Sequence, residues 1–180
     1  MFRLVKEFSR GRGPIIAGTG GNNTIESIAL TSEASKTGVD GILLVSPYYN
    51  KPSQEGLYQH FKAIAAATTL PVMLYNVPPR TAGNVEASTV LRLAHDVSNI
   101  VSMKEASGNL NQVTDIIAGA PDGFTVYSGD DGLALPILSV GGTGIVSVSS
   151  HVVGNDLNKL FKEFLAGNYT EAAKLHAKML

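Results

Sequence analysis

Short apolar segments recur along this chain, separated by longer segments with helical spacing. The apolar segments are continuous and rich in Val and Ile, as in strands that are covered on both faces of a parallel sheet. Between them, apolar residues recur three and four positions apart, as on the buried face of an amphipathic helix. Strand and helix alternate about every 25–30 residues, which is the βαβ pattern of an α/β fold. The six strand-like segments begin at Pro14, Gly41, Pro71, Asn99, Phe124 and Gly144.

Two architectures share this pattern, a doubly wound open sheet and a (β/α)8 barrel. Nearly every strand-like segment is followed by polar or glycine-rich residues, and a barrel builds its active site from such strand ends, so the barrel is favoured. A complete barrel has eight strands and about 250 residues. The chain has 180 residues and six strand-like segments. We therefore expect one domain, residues 1–180, that forms a partial TIM barrel truncated at both ends.

Composition excludes several classes of function. The net charge is −1 and the basic residues are scattered, so no stripe of Lys and Arg is available for nucleic acid. Cysteine is absent, which excludes disulfides, thiolate metal sites and a thiol nucleophile. No apolar run approaches the roughly 20 residues of a membrane helix. We expect a soluble, cytoplasmic protein without nucleic-acid or membrane partners.

Lys104 stands at the end of an apolar strand segment, where a charge is costly. Desolvation in a barrel mouth would lower the pKa of its amine and leave a neutral nucleophile that can form a Schiff base with a ketone. The alternative is a lysine that reaches water or pairs with Glu105. Lys104 considered alone leaves both interpretations open.

Tyr75 and Arg80 follow another strand segment. A tyrosine hydroxyl at a strand end can relay protons, although it can equally be a packed core aromatic. Arg80 lies in a loop with Pro78 and Pro79, and its planar guanidinium suits a carboxylate, although a surface role is equally open.

Other polar motifs indicate no metal and no nucleotide. His60, His95, His151 and His176 fall at no metal-ligand spacing and are expected on helix surfaces or in loops. The glycine-rich "GTGGNN" is not a GxGxxG motif, and "GGTG" precedes a strand. The acidic pair in "SGDD" is expected to cap a helix that begins at Gly132. No cofactor is therefore expected.

Five segments in order resemble the dihydrodipicolinate synthase family of pyruvate-dependent class I aldolases: "AGTGGNNT", "SPYYNKPSQEGLYQHF", "YNVPPRT", "KEASGN" and "YSGDDGLALP". The resemblance covers essentially the whole chain and implies a (β/α)8 barrel. It implies that Lys104 forms a Schiff base with pyruvate and that Tyr75 relays protons. The implied lyase reaction condenses the pyruvate enamine with L-aspartate 4-semialdehyde to 4-hydroxy-tetrahydrodipicolinate, on the diaminopimelate route to lysine, without an added cofactor.

The resemblance implies further site residues. Arg80 would bind the carboxylate of the semialdehyde, and the backbone carbonyl of Val146 would lie close to bound pyruvate. Tyr49, the second tyrosine of "PYYN", would complete the proton relay of a neighbouring subunit in a homotetramer built from dimers. Four residues match a feedback site for L-lysine: Gly20, Asn22, Glu26 and Tyr48.

One family feature has no counterpart in this chain. Family members carry a Gly-Thr-Thr-Gly-Glu loop whose threonine joins the two tyrosines, and no such segment is present. We therefore expect that the first two βα units and the C-terminal helices are lacking. The isolated chain is expected to be poorly active and prone to association. Two alternatives stay open: another pyruvate-dependent aldolase, of the N-acetylneuraminate lyase or 2-keto-3-deoxy sugar-acid type, or an inactive barrel fragment that acts only in assembly.

Overall fold

The computed structural model describes residues 1–179 and contains one six-stranded sheet flanked by helices. The strands are β1 Ile16–Gly18, β2 Gly41–Val45, β3 Val72–Asn76, β4 Ile100–Glu105, β5 Thr125–Ser128 and β6 Gly144–Ile145. The α-helices within these residues are α1 Phe2–Ser9, α2 Thr24–Ser35, α3 Gln54–Ala65, α4 Pro78–Thr81, α5 Ala87–Asp96, α6 Leu110–Gly119, α7 Ala134–Ser139, α8 Ser150–Leu165 and α9 Tyr169–Met179. A 3-10 turn, Asp131–Leu133, precedes α7.

The order of the strands decides between the two architectures. Every strand pairs in parallel with the next one in the chain, in the order β1-β2-β3-β4-β5-β6. A doubly wound sheet reverses its strand order at a switch point, whereas a barrel keeps the chain order around the ring. The described residues therefore form part of a TIM barrel, as the sequence predicts, and all six predicted strands are present.

The core lies between the outer face of the sheet and the helices. Alternate strand side chains point outwards and are fully buried there, and burial of each contributes about 1.5–3 kcal/mol. These strand residues meet apolar faces of α3, α5 and α6. The largest members of this core are Ile42, Leu44, Phe61, Ile64, Leu74, Leu93, Met103 and Ile116.

Two helices begin at side-chain caps. The Asn23 side chain accepts hydrogen bonds from the backbone N–H groups of Ile25 and Glu26, at 3.0 and 3.2 Å. The Ser53 hydroxyl accepts one from Gly56 at 3.2 Å. Each cap satisfies a donor that the first turn of a helix otherwise leaves without a partner. No helix within residues 1–179 is long and apolar enough to cross a membrane.

The sixth strand is shorter than its apolar pattern suggests. Only Gly144 and Ile145 belong to β6, although the pattern continues to Val148. Beyond them Val146 still donates a backbone hydrogen bond to Ser128, at 2.8 Å. The Ser147 hydroxyl and the Ser149 N–H then bind the Asp131 carboxylate, and this draws the chain out of the sheet towards α8.

Two local predictions are wrong. His60 lies buried between α2 and α3 rather than on a helix surface, and its Nδ1 lies 2.8 Å from the Thr24 hydroxyl. Burial lowers the pKa of His60. Arg80 is not in an irregular loop, because Pro78 opens the one-turn helix α4, where a proline N1 needs no N–H.

Candidate active site

Lys104 and Tyr75 lie side by side at the carboxyl ends of two adjacent strands. Strands β3 and β4 place Tyr75 opposite Lys104 in the ladder. The Lys104 Nζ stands 4.0 Å from the centre of the Tyr75 ring. Lys104 is only 9% exposed, so its amine is held inside the concave face of the sheet. The structure thus brings together the two residues that the sequence proposes as nucleophile and proton relay.

Burial shifts both groups towards their neutral forms. It lowers the pKa of the Lys104 amine, and the negative charge of Asp131 opposes this effect to a smaller extent. Burial also raises the pKa of the Tyr75 phenol, against a smaller opposite effect from the charge of Arg80. Desolvation disfavours charged forms of both signs. A neutral amine therefore becomes available below the usual lysine range, beside a phenol that keeps its proton.

Glu105 is not the ion-pair partner of Lys104. Successive strand residues point to opposite faces, so the Glu105 side chain lies on the outer face, beneath the helices. There its carboxylate accepts hydrogen bonds from the amides of Asn76 and Gln112 and from the N–H of Ser107, at 2.6–3.1 Å. The Lys104 amine is left beside Tyr75, which favours the nucleophile interpretation.

Gly129 provides the space for the Lys104 side chain. A Cβ atom at position 129 would lie 2.9 Å from Lys104 Cε, 3.1 Å from Lys104 Cγ and 2.9 Å from the Cβ of Ala106. Contacts of this length between carbon atoms are repulsive. The residue directly after β5 therefore has to be a glycine for Lys104 to keep its position.

Asp130 and Asp131 have different tasks at the end of β5. The Asp130 side chain caps the 3-10 turn by accepting a hydrogen bond from Gly132 N at 2.8 Å, so the capping role expected of the acidic pair holds for Asp130. Helix α7 itself begins later, at Ala134. The Asp131 carboxylate instead binds Ser147 and Ser149, and its charge reaches the Lys104 amine.

Comparison with known proteins agrees with this geometry. The model of the dihydrodipicolinate synthetase family matches residues 1–180. The chain belongs to this family. It is 59% identical over 176 residues to the 4-hydroxy-tetrahydrodipicolinate synthase of Bacillus subtilis, an alignment that covers 98% of this chain and 60% of that protein.

Solved structures show the same fold. A dihydrodipicolinate synthase from Cyanidioschyzon merolae with lysine bound superposes with a TM-score of 0.97 at 47% identity, covering 99% of this chain and 61% of that one. A prophage protein of the same family from E. coli K12, in complex with pyruvate, superposes with a TM-score of 0.93 at 32% identity over the same shares. This chain thus spans about 60% of the length of the relatives that it matches.

The family resemblance assigns a role to Tyr49, and its backbone is unusual. Tyr49 has φ 74°, in the left-handed region that bulky residues rarely adopt. Its side chain is 90% exposed. Strained residues of this kind cluster at functional sites.

Of the four residues that the family resemblance assigns to a lysine site, Asn22 and Tyr48 meet between two loops. The Asn22 side chain donates to the carbonyl of Tyr48 at 3.2 Å, and Asn50 donates to the carbonyl of Asn22 at 3.0 Å. Gly20 lies against β2 instead, since a Cβ there would lie 2.4 Å from the Val45 nitrogen. Glu26, the fourth, is exposed in the first turn of α2.

Arg80 and Val146 lie on opposite sides of the lysine. Arg80 is exposed in α4, close enough to Tyr75 for its charge to act on the phenol. Val146 directly follows β6 and is half-buried. Both positions border the strand ends that carry Lys104 and Tyr75.

Sequence reasoning missed two contributors to this site. In the sequence, Gly129 stands within "SGDD" without a signal of its own, and Glu105 suggests only a possible partner of the lysine. For Glu105 the signal was available, because the alternation of side chains along a strand separates residues 104 and 105. For Gly129 no local signal exists, since its φ is unexceptional and the need for a glycine comes from another strand.

Proposed function

We propose that residues 1–180 form one domain that carries the Schiff-base chemistry of a 4-hydroxy-tetrahydrodipicolinate synthase. In this reaction pyruvate, bound covalently to Lys104, condenses with L-aspartate 4-semialdehyde. The observation that carries the proposal is the buried Lys104 amine, 4.0 Å from the Tyr75 ring centre at the carboxyl ends of β3 and β4. In barrel enzymes this end of the strands carries the chemistry.

The first step joins the amine to pyruvate. The neutral Lys104 nitrogen attacks the keto carbon, a C–N bond forms, and a proton passes from nitrogen to the oxygen to give a carbinolamine. Loss of water then breaks the C–O bond and leaves a protonated imine, whose nitrogen keeps its hydrogen. The Tyr75 phenol, which burial keeps protonated, supplies the proton that the departing hydroxide needs.

The second step forms the carbon–carbon bond. A proton passes from the methyl carbon of the bound pyruvate to the Tyr75 phenolate that the dehydration left. The electron pair of that C–H bond forms a C=C bond, the C=N electrons return to nitrogen, and the protonated imine becomes a neutral enamine. The enamine carbon attacks the aldehyde carbon of the semialdehyde, whose oxygen takes up a proton. The amino group of the former semialdehyde then attacks the C=N carbon, a C–N bond forms and closes the ring, and the bond to the Lys104 nitrogen breaks with transfer of a proton to that nitrogen, which restores the amine. The lysine serves as the electron sink throughout, so the reaction needs no added cofactor.

Substrate contacts follow from the positions around the lysine. The exposed guanidinium of Arg80 is available to the carboxylate of the semialdehyde, in the bidentate geometry that arginine favours. The carbonyl of Val146 would border the pyruvate. The solvent-facing Tyr49 would complete the relay of a second copy, in a homotetramer arranged as a dimer of dimers.

L-Lysine is the proposed inhibitor. The lysine-bound relative supports this, as does the contact between the Asn22 and Tyr48 loops. Gly20 lets its own loop pack closely on β2, and the exposed Glu26 carboxylate is available to pair with an ammonium group. The cytoplasm is the proposed location, where pyruvate is available to a biosynthetic enzyme.

A trapping experiment tests the reaction and its acceptor. The chain is incubated with pyruvate, then with an aldehyde, and reduced with borohydride before intact-mass measurement. The semialdehyde should give a second, heavier adduct, and Arg80→Ala should raise the concentration required. A heavier adduct with a sugar-derived aldehyde alone would assign the chain to the sugar-acid aldolases. If neither aldehyde gives a heavier adduct on a folded chain that does bind pyruvate, the proposed condensation is wrong.

A further inference from the structure

The buried carboxylate of Glu105 lies directly behind the site and has no catalytic task in the proposed reaction. Glu105 is 1% exposed and Asn76 is fully buried. No Lys, Arg or His in the described part of the chain forms an ion pair with Glu105. Its charge is instead met by N–H donors of two amide side chains and one backbone group. Such an arrangement is costly unless its partners are fixed in place.

The hydrogen bond between Asn76 and Glu105 joins the same two strands that carry Tyr75 and Lys104. Asn76 follows Tyr75 and Glu105 follows Lys104, and the ladder pairs Asn76 with Glu105 just as it pairs Tyr75 with Lys104. Asn76 Nδ2 donates to both oxygens of Glu105, at 3.1 Å each. A slip of one residue between two strands turns every side chain of the slipped strand to the other face of the sheet. The bond between Asn76 and Glu105 therefore opposes a shift of β3 relative to β4, which would displace Tyr75 from Lys104.

The same hydrogen bonds extend to the loop that follows Arg80. Asn76 donates to Asn84 Oδ1 at 2.8 Å and accepts from the N–H of Val85 at 3.0 Å. Gln112 donates to Glu105 at 2.9 Å and accepts from Asn84 at 2.8 Å. Every polar atom of the Asn76 amide thus has a partner, and the strand pair is tied to the segment between α4 and α5.

The network also reaches the loop that contains Tyr48 and Tyr49. Gln54 is the first residue of α3 and directly follows that loop. Its amide donates to the carbonyl of Asn84 at 2.8 Å, and its oxygen accepts from Thr89 and from the N–H of Glu86. Segments that follow three strands, β2, β3 and β4, are therefore joined on the outer side of the sheet.

We infer that Glu105, Asn76, Gln112 and Asn84 form a positioning network that holds the Lys104 amine against Tyr75 and aligns the Arg80 segment with them. This inference rests on the proposed function for its consequence in catalysis. The network touches no substrate and acts through the strands and loops that it joins. Displacement of reacting groups by about 1 Å costs about 100-fold in rate.

The test replaces the acceptor at the centre of the network. Glu105→Gln keeps the shape of the side chain but places an NH2 group among the donors of Asn76 and Gln112. The rate of pyruvate adduct formation, trapped with borohydride, should fall at least tenfold. Competitive labelling with acetic anhydride across a pH series should show the Lys104 midpoint moving up towards that of the exposed lysines, because a loosened site admits water.

Two further variants separate positioning from stability. In the double variant Asn76→Asp and Glu105→Gln, acceptor and donor exchange strands, and we expect partial recovery of the labelling midpoint and of the rate, because position 76 no longer donates to Asn84 Oδ1. Asn99→Ala is the matched control. Asn99 makes three side-chain hydrogen bonds at the opposite end of the same strands, to the carbonyls of residues 65, 68 and 70. Its loss should lower the thermal midpoint and leave the Lys104 labelling profile unchanged.

A failure of the positioning network and a failure of the proposed function give different results in these experiments. If the unmodified chain forms no pyruvate adduct, that function fails, while the labelling profile still decides on the network. If Glu105→Gln leaves the labelling midpoint of Lys104 unchanged, or moves it no more than Asn99→Ala does, the network has no positioning role. Should Glu105→Gln not fold, Asn84→Ala removes a partner of both amides outside the sheet, and an unchanged profile there overturns the inference.

Discussion

The glycine that borders Lys104 offers a sharp test of the site geometry. Gly129→Ala adds a single methyl group, whose carbon would lie 2.9 Å from Lys104 Cε. Ordinary contacts between carbon atoms begin at about 3.4 Å, so the lysine has to move by about 0.5 Å, the difference between these distances. A displacement of 1 Å costs about 100-fold in rate, and about half of it should cost about tenfold.

The assay is the rate at which pyruvate becomes trapped on the chain by borohydride, followed by intact mass. Gly129→Ala should react about tenfold more slowly, with a loss in the free energy of unfolding of about 1–3 kcal/mol from overpacking, measured by urea denaturation. Gly18→Ala is the control. It stands at the end of β1, where an added Cβ meets nothing within 4 Å. A Gly129→Ala chain that reacts at the unmodified rate would refute the contact between Gly129 and Lys104 as a constraint on the amine.

Three further predictions follow from named groups. Tyr75→Phe should slow imine formation by about 10²-fold or more, since water has to replace the phenol as proton donor, and rapid-quench trapping at an unchanged rate would exclude Tyr75 from the proton path. Burial lowers the pKa of Lys104 in the folded chain below its ordinary 10.5. Between the folded pKa and the unfolded pKa, the unfolded state binds more protons, so the free energy of unfolding should rise with pH. Lys104→Met should remove this rise in urea titrations, and an identical pH slope in that variant would contradict the burial of the charge. Asn23→Ala should lower the free energy of unfolding by about 1 kcal/mol, because two N–H groups of α2 lose their acceptor, and an unchanged urea midpoint would contradict the cap.

The fold was predictable because the signals were local and repeated. Apolar continuity located all six strands, and the polar strand ends favoured the barrel over the doubly wound sheet. The length of β6 was not predictable, since it ends where Ser147 and Ser149 bind Asp131, a residue from another turn of the fold. The burial of His60 likewise depends on how α2 packs on α3, which periodicity within α3 does not report.

The site was predictable to the extent that chemistry depends on residue type and strand position. Lys104 and Tyr75 follow apolar runs, and strand ends gather in a barrel mouth, so their meeting follows from the fold. Lys104 alone could not decide between a nucleophile and a surface charge. The decision came from Glu105, whose carboxylate is held by Asn76 and Gln112 on the outer face and leaves the amine without that ion pair.

The central claim is that the Lys104 amine is the nucleophile towards pyruvate. Peptide mapping by tandem mass spectrometry, after borohydride reduction of the folded chain with pyruvate, tests it most directly. We predict a mass gain of about 72 Da, that of one reduced pyruvate imine, on the peptide that contains Lys104. A gain on a different lysine, or no gain on Lys104 while circular dichroism shows a folded chain, would contradict the claim.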